Sequence, residues 1–211
     1  MKKGICYLLT LALMITALPM QVFGAEIDVV TKVVGAVQYG TDFDGKIYGE
    51  DAPQLKMKVT DFEALNSSVE TEFKVRLDSA VFMDAEGKDF GETTNIADAI
   101  CLLSYYNGEG IIEASYDSEK QIGWFDEEIM IEAEIDKPNT IVYTLTGILK
   151  DNDQIWVDLQ SRMNEKFLPG RVATVSVSGD IDTEDYIYAE IVEQGLVEDD
   201  FNETANIEAN V

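Results

Sequence analysis

From Val69 to Asp78 the chain alternates without interruption: Val69, Thr71, Phe73, Val75 and Leu77 are apolar or β-branched, while Glu70, Glu72, Lys74, Arg76 and Asp78 are charged. Successive side chains of a strand point to opposite faces, whereas a helix would scatter this pattern around its circumference. The segment is therefore predicted to be a half-buried antiparallel strand with one core face and one wet face. Ile129, Ile131, Ala133 and Ile135 alternate with Glu128, Met130, Glu132 and Glu134 in the same way and predict a second such strand.

Two hairpins are expected further on. Thr140 to Ile148 is β-branched and aromatic, Lys150-Asp151-Asn152-Asp153 reads as a polar turn, and Gln154 to Leu159 resumes with Ile155, Val157 and Leu159 on one face. Arg171 to Ser178, punctuated by Gly179-Asp180, returns as Asp185 to Val192. Ile27 to Tyr39, Gln54 to Phe62, Asp98 to Tyr106 and Gly110 to Tyr116 supply further strands, with Asn107-Gly108 a tight-turn signal between the last two. Thr94 to Ile100 suits one helical turn, and Gln160 to Phe167 suits either a helix or the end of a strand. The pattern predicts an all-β protein: an antiparallel β-sandwich of about eight to ten strands with at most one or two short helical turns.

The first residues have a different character. Met1-Lys2-Lys3 is a short positive segment, Ile5 to Leu18 is apolar, Pro19 breaks the run, and Gly24-Ala25 offers a small-residue cleavage site. Residues 1–25 are thus expected to be a cleavable secretory signal peptide, since the run is shorter than the ~20 residues that span a bilayer. The expected division is 1–25 signal peptide, 26–197 β-sandwich domain, and 198–211 acidic tail or linker stub. The expected location is secreted, extracellular or cell-wall associated. Neither a C-terminal apolar span nor a Leu-Pro-x-Thr-Gly sorting signal is present in this sequence.

Cys6 would leave with the leader, so Cys101 would be the one cysteine of the mature chain and no internal disulfide could form. Its setting in Ala99-Ile100-Cys101-Leu102-Leu103 predicts a small buried hydrophobe rather than a reactive thiol.

Composition then removes whole classes of function. With 41 acidic residues against 15 basic ones the net charge is −26, a field that repels phosphate backbones and makes nucleic acid an unsuitable partner. No histidine occurs, which excludes serine-histidine and cysteine-histidine catalysis and histidine-bearing zinc sites. The chain also lacks a Ser-x-x-Lys pair.

Three kinds of candidate site remain. Acid-rich turns contribute Asp42 and Asp44, Asp151 and Asp153, and Asp180 and Asp182 as potential calcium ligands, with a further cluster at Asp84-Ala85-Glu86-Gly87. An EF-type loop is ruled out because Gly45 stands fourth instead of sixth, and Asp, Asn and Gly are also ordinary turn residues. Calcium is the one cofactor these turns could hold. Asp126, Glu127 and Glu128 beside Trp124 form the best carboxylate group for glycoside hydrolysis, which requires a set separation between two acids. Trp124, Phe125, Trp156, Tyr105 and Tyr106 are the candidates for a face that stacks on sugar rings, the competing reading being that they pack the sandwich.

The stretch Pro169-Gly170-Arg171-Val172-Ala173-Thr174-Val175-Ser176-Val177-Ser178-Gly179-Asp180-Ile181, after a hairpin and the Val69 to Asp78 strand, resembles the N-terminal β-rich regions of Gram-positive secreted surface proteins. In those proteins the region often precedes S-layer-homology or copper-amine-oxidase-N-like modules, which this chain does not contain. The resemblance implies a place at the cell surface and assigns no functional residue. The functional expectation is a noncatalytic secreted or surface-associated module with a structural, adhesive or ligand-binding role, partnered by a cell-wall or extracellular glycan or protein. A secreted carbohydrate-active enzyme with paired carboxylates and a calcium-stabilised structural module are the alternatives.

Overall fold

β-Branched and aromatic residues at every second position favour extended chain, because each strand can then bury one side and solvate the other. The computed structural model describes residues 28–49, 52–60, 69–91, 95–150, 152–164, 169–179 and 184–193. In order, the first strands are β1 (Asp28–Val34), β2 (Val37–Tyr39), β3 (Lys46–Ile47), β4 (Gln54–Thr60), β5 (Val69–Asp78) and β6 (Ala80–Phe82). A short helix, α1 (Ile96–Ile100), follows, and then β7 (Leu103–Tyr106), β8 (Ile111–Glu113), β9 (Ser115–Asp117), β10 (Ile122–Phe125) and β11 (Ile129–Lys137). The chain continues with β12 (Thr140–Gly147), β13 (Gln154–Asp158), β14 (Ser161–Met163), β15 (Val172–Gly179) and β16 (Glu184–Ile191). The expected leader at 1–25, the tail at 198–211, and the candidates Asp151, Asp180 and Asp182 lie outside the described residues.

The fold is an all-β sandwich. One sheet has five strands in the order β1-β4-β13-β7-β8, and the other has eight in the order β2-β16-β15-β5-β12-β11-β10-β9. A small third sheet has the order β3-β14-β6. Among the described strands every pairing is antiparallel except β16 with β2.

The alternation translates directly into burial. On β5, Thr71, Phe73, Val75 and Leu77 are buried while Glu70, Glu72, Arg76 and Asp78 are exposed. Buried residues of both large sheets form one hydrophobic cluster: Phe73, Ile131 and Tyr143 from one, Leu55, Met57 and Ile155 from the other. The Tyr105 and Phe125 rings meet across the two layers at 5.5 Å. Each such side chain contributes roughly 1.5–3 kcal/mol on burial. Two hydroxyls drawn inside find partners, which offsets the cost of a dry interior: the Tyr143 hydroxyl donates to the Ala99 carbonyl at 2.9 Å, and the Ser161 and Tyr188 hydroxyls lie 3.0 Å apart.

One predicted hairpin is formed and the other is not. β15 and β16 pair directly, as expected. β12 and β13 do not pair: β12 has both edges occupied by β5 and β11, and β13 enters the opposite sheet between β4 and β7. The turn between them is a corner. The Asp153 carboxylate is buried at that corner, accepting the Tyr105 hydroxyl of β7 at 2.6 Å and the Lys150 backbone N–H. This tether draws the chain across to the five-stranded sheet.

Similar corners split other segments. β1 passes to β2 through Gly35, whose φ of 79° suits glycine, and β8 passes to β9 through Ala114, each pair dividing between the two large sheets. Strands that change sheets at bends are how crossed sandwiches turn their corners. They also divide in two the segments expected as single strands at Ile27 to Tyr39 and Gly110 to Tyr116, and so contribute to there being sixteen short strands among the described residues where eight to ten were expected.

α1 is the single turn expected near Thr94 to Ile100. Asn95 caps it, accepting the Ala97 N–H at 3.2 Å, while Asp98 accepts the Asn95 N–H in return. The helix turns Ala99 and Ile100 inward and leaves Cys101 at its C-terminal cap, exposed. The buried setting expected for Cys101 is thereby corrected: helical rather than period-two geometry governs this residue. Partial shielding still pushes the thiol pKa up, with the charges of Asp98 and Glu113 adding to the effect. The Gln160 to Phe167 segment resolves toward strand at its start, as β14.

Candidate ligand-binding face

The outer face of the five-stranded sheet is assembled by register. Leu55 and Met57 on β4, Ile155 and Val157 on β13, and Leu103 and Tyr105 on β7 face the core. Their neighbours must therefore face out. One row across the sheet reads Lys32, Lys56, Trp156, Ser104, Glu113, each opposite the next on the adjoining strand. The neighbouring row contains Lys58, Gln154, Tyr106 and Ile111, and a third places Val34, Gln54 and Asp158 side by side.

The centre of this face is ordered by contacts between side chains. The Lys56 Nζ lies 3.3 Å from the centroid of the Trp156 ring. The Tyr106 ring is nearly parallel to the indole, at 14°, with centroids 5.9 Å apart. Such cation–π and offset aromatic contacts are each worth about 0.5–1.5 kcal/mol. The indole N–H donates to Gln154 Oε1 at 2.9 Å, the Tyr106 hydroxyl donates to the Gly108 carbonyl at 3.1 Å, and Gln54 Nε2 donates to Asp158 Oδ1 at 2.8 Å. Tyr106 and Trp156 are each half-buried, so part of both rings reaches solvent.

The electrostatics of the face reverse those of the whole chain. Among its described side chains, Lys32, Lys56 and Lys58 stand against Asp158 and Glu113. Burial lowers the Lys56 pKa, the Lys32 charge lowers it further, and Asp158 opposes the change. Burial raises the Asp158 pKa, and the Glu113 charge adds to this, while the Gln54 hydrogen bond and Lys56 oppose it.

The four stacking candidates separate. Tyr106 and Trp156 come together as described. Tyr105 lies on the other side of the same strand, buried at 6 % exposure, and packs on Phe125 instead of presenting a ring to solvent. Its phenol pKa is raised by burial and by the hydrogen bond to Asp153. Trp124 sits on the outer face of the eight-stranded sheet, in a row with Ser115, Met130 and Thr146. The lysines of this face belong to no motif in the sequence. Lys32 and Lys56 are 24 positions apart and Trp156 is a further 100 away, and only the strand register makes them neighbours. The available signal was that Lys56 and Lys58 alternate with Leu55, Met57 and Val59 and so fall on the polar phase of their strand, in a chain short of cations.

The acid-rich turns serve their own backbones. Asp44 accepts the Lys46 N–H at 3.0 Å, and Asp84 accepts those of Glu86 and Lys88 at 3.0 and 2.9 Å, as Asx turns require. Asp42 is exposed, and Asp153 is engaged at the corner already described. Among the described residues, no group of three or more acidic or cysteine side chains is placed to share a metal ion. Asp126, Glu127 and Glu128 form an exposed turn between β10 and β11, with φ of 49° and 59° at the first two. A small cavity of about 150 Å³ is lined by Asp84, Glu86, Asp98, Cys101 and Gln160, and the buried Gln160 Oε1 has no hydrogen-bond partner.

No helix among the described residues is long and apolar enough to cross a membrane. In comparisons with known proteins, no family model matches the chain and no curated protein matches it.

Proposed function

We propose that this chain is a noncatalytic, secreted or surface-associated module that binds an extracellular glycan on the outer face of its five-stranded sheet. One observation carries the reading: the row that sets Lys56 against Trp156, with Tyr106 alongside, unites half-exposed aromatic rings with the amide and carboxylate groups of Gln54, Gln154 and Asp158. Sugar recognition needs this combination, apolar ring surface for the C–H face and hydrogen-bonding groups for the hydroxyls. The apolar leader sequence and the resemblance to secreted surface proteins support an extracellular setting.

The test uses the mature chain, from residue 26 onward, in sedimentation assays against insoluble polysaccharides, with the release of reducing ends followed in parallel. Retention without release is expected. Trp156→Ala and Tyr106→Ala should each weaken retention by about tenfold, as removal of a central aromatic does at an interface, whereas Trp124→Ala should leave it unchanged. Loss of binding with Trp124→Ala alone would move the site to the other sheet, and release of sugar ends would make the protein an enzyme.

A further inference from the structure

We propose that the ligand of this face is a polyuronate, a polysaccharide whose sugar rings bear carboxylates. The inference rests on the glycan reading above and names its chemical class.

Charge sets this face apart from the rest of the molecule. Over the whole sequence, acidic residues outnumber Lys and Arg by 41 to 15. On the outer face of the five-stranded sheet the balance is inverted, with Lys32, Lys56 and Lys58 against Asp158 and Glu113 among the described side chains. Lys32 and Lys56 are direct cross-strand neighbours, on strands about 4.8 Å apart, and Lys58 lies two residues further along β4. Like charges placed opposite each other weaken a sheet, so this pairing is a local cost that a bound anion would relieve.

The position of the Lys56 ammonium then discriminates between sugars. It lies 3.3 Å from the Trp156 ring centroid, over the surface a neutral pyranose would need for stacking. A neutral sugar must displace that ammonium. A carboxylate can instead engage it where it already sits, in a charge-assisted hydrogen bond, while Lys32 and Lys58 meet further carboxylates along the polymer.

The aromatic pair narrows the class again. A phosphate-linked polyol would satisfy the lysines but has no ring face to place against Tyr106, and it would give Gln54 and Gln154 fewer hydroxyls. Carboxylates borne on pyranose rings engage both features. The acidic remainder of the molecule would repel the same polymer, which restricts binding to this face.

The experiment measures binding of the mature chain to polygalacturonate, to its neutral methyl ester, and to inorganic polyphosphate, without divalent cations and at two salt concentrations. Polygalacturonate should bind at least about tenfold more tightly than the ester, and binding should weaken as salt rises. The variant Lys32→Gln/Lys56→Gln/Lys58→Gln should lose about tenfold in affinity for polygalacturonate, whereas Lys74→Gln/Arg76→Gln on the other sheet should not. All five positions face away from the core, and thermal melting of each variant verifies that it is folded. Equal binding of polygalacturonate and its ester would overturn the polyuronate inference and leave the glycan reading standing. Polyphosphate bound as tightly as polygalacturonate would overturn it in favour of plain charge attraction. Failure to bind any polysaccharide would remove both.

Discussion

The two large sheets have matching insides and opposite outsides. Facing the core, both carry the same kinds of residue: Leu55, Met57 and Ile155 on one side, Phe73, Ile131 and Leu145 on the other. Facing water, the five-stranded sheet presents three lysines around a Trp–Tyr pair, whereas the eight-stranded sheet presents Glu70, Glu72, Glu132 and Glu134 with Lys74 and Arg76 among them. Folding constrains the inner positions most strongly, because burial of apolar area is what holds the layers together. The outer positions are freer to differ, and the sheet that departs from the chain's prevailing charge, at a local cost in cross-strand repulsion, is the one on which a function can be placed.

The largest effects should show that the insides really are one core. Phe73→Ala, whose ring lies 5.3 Å from that of Tyr143, should cost about 3–5 kcal/mol, and Ile155→Ala on the opposite sheet about 2–5 kcal/mol. Urea unfolding should give single, coincident transitions for both variants with slopes close to the parent's. If Ile155→Ala melts only part of the structure while Phe73→Ala lowers the whole, the sheets are separate units and the comparison of their faces loses its basis.

The inside of each strand was legible in the sequence and the outside was not. Alternation located β5 to the residue and placed Phe73, Val75 and Ile131 inward, because period-two patterning is a property of one strand and its own two faces. It carries no information about which sheet a strand joins. Thr140 to Leu159 therefore read as a hairpin, although the buried Asp153–Tyr105 contact sends β13 to the far layer. The same limitation hid the candidate face, since Lys32, Lys56, Trp156 and Tyr106 come from four strands whose order follows from the corners. Trp124 and Trp156 were alike in sequence for this reason, and only topology separates them onto opposite sides of the molecule.

Two tight hairpins offer a smaller contrast between the sheets. On the five-stranded side, Gly108 has φ of 91° in the Asn107-Gly108 turn, a conformation glycine adopts freely. On the eight-stranded side, Asp126 and Glu127 hold φ of 49° and 59°, closed by the Glu128 N–H donating to the Phe125 carbonyl at 3.0 Å. Positive φ at both central residues marks the turn type that prefers Asn-Gly. Glu127→Gly should therefore raise stability by up to about 1 kcal/mol, the relief of left-handed strain exceeding the extra entropy of the unfolded chain. Gly108→Ala should lower it by about 1 kcal/mol for the converse reason. Thermal melts of the two variants should move in opposite directions; a shared direction would mean that the turns relax when substituted.

The smallest expected change in stability, and the one that links it to the candidate site, is at Asp158. Burial raises its pKa in the folded protein, so between the unfolded value of about 3.9 and the higher folded value the native state binds more protons than the unfolded chain. Stability from this group therefore falls as pH rises through that window and stays lower above it. Asp158→Asn keeps an oxygen to accept the Gln54 N–H and removes the charge. The variant should be slightly more stable than the parent at neutral pH, by less than the turn substitution gives, and the gain should vanish as pH drops below the unfolded carboxylate pKa. Removing an anion beside Lys56 should also tighten polygalacturonate binding, whereas Glu132→Gln on the acidic sheet should alter it little. A stability gain that grows on acidification would reverse the sign argued for Asp158, and tighter binding from Glu132→Gln equal to that from Asp158→Asn would mean that total charge, not the face beside Trp156, governs attraction to the polymer.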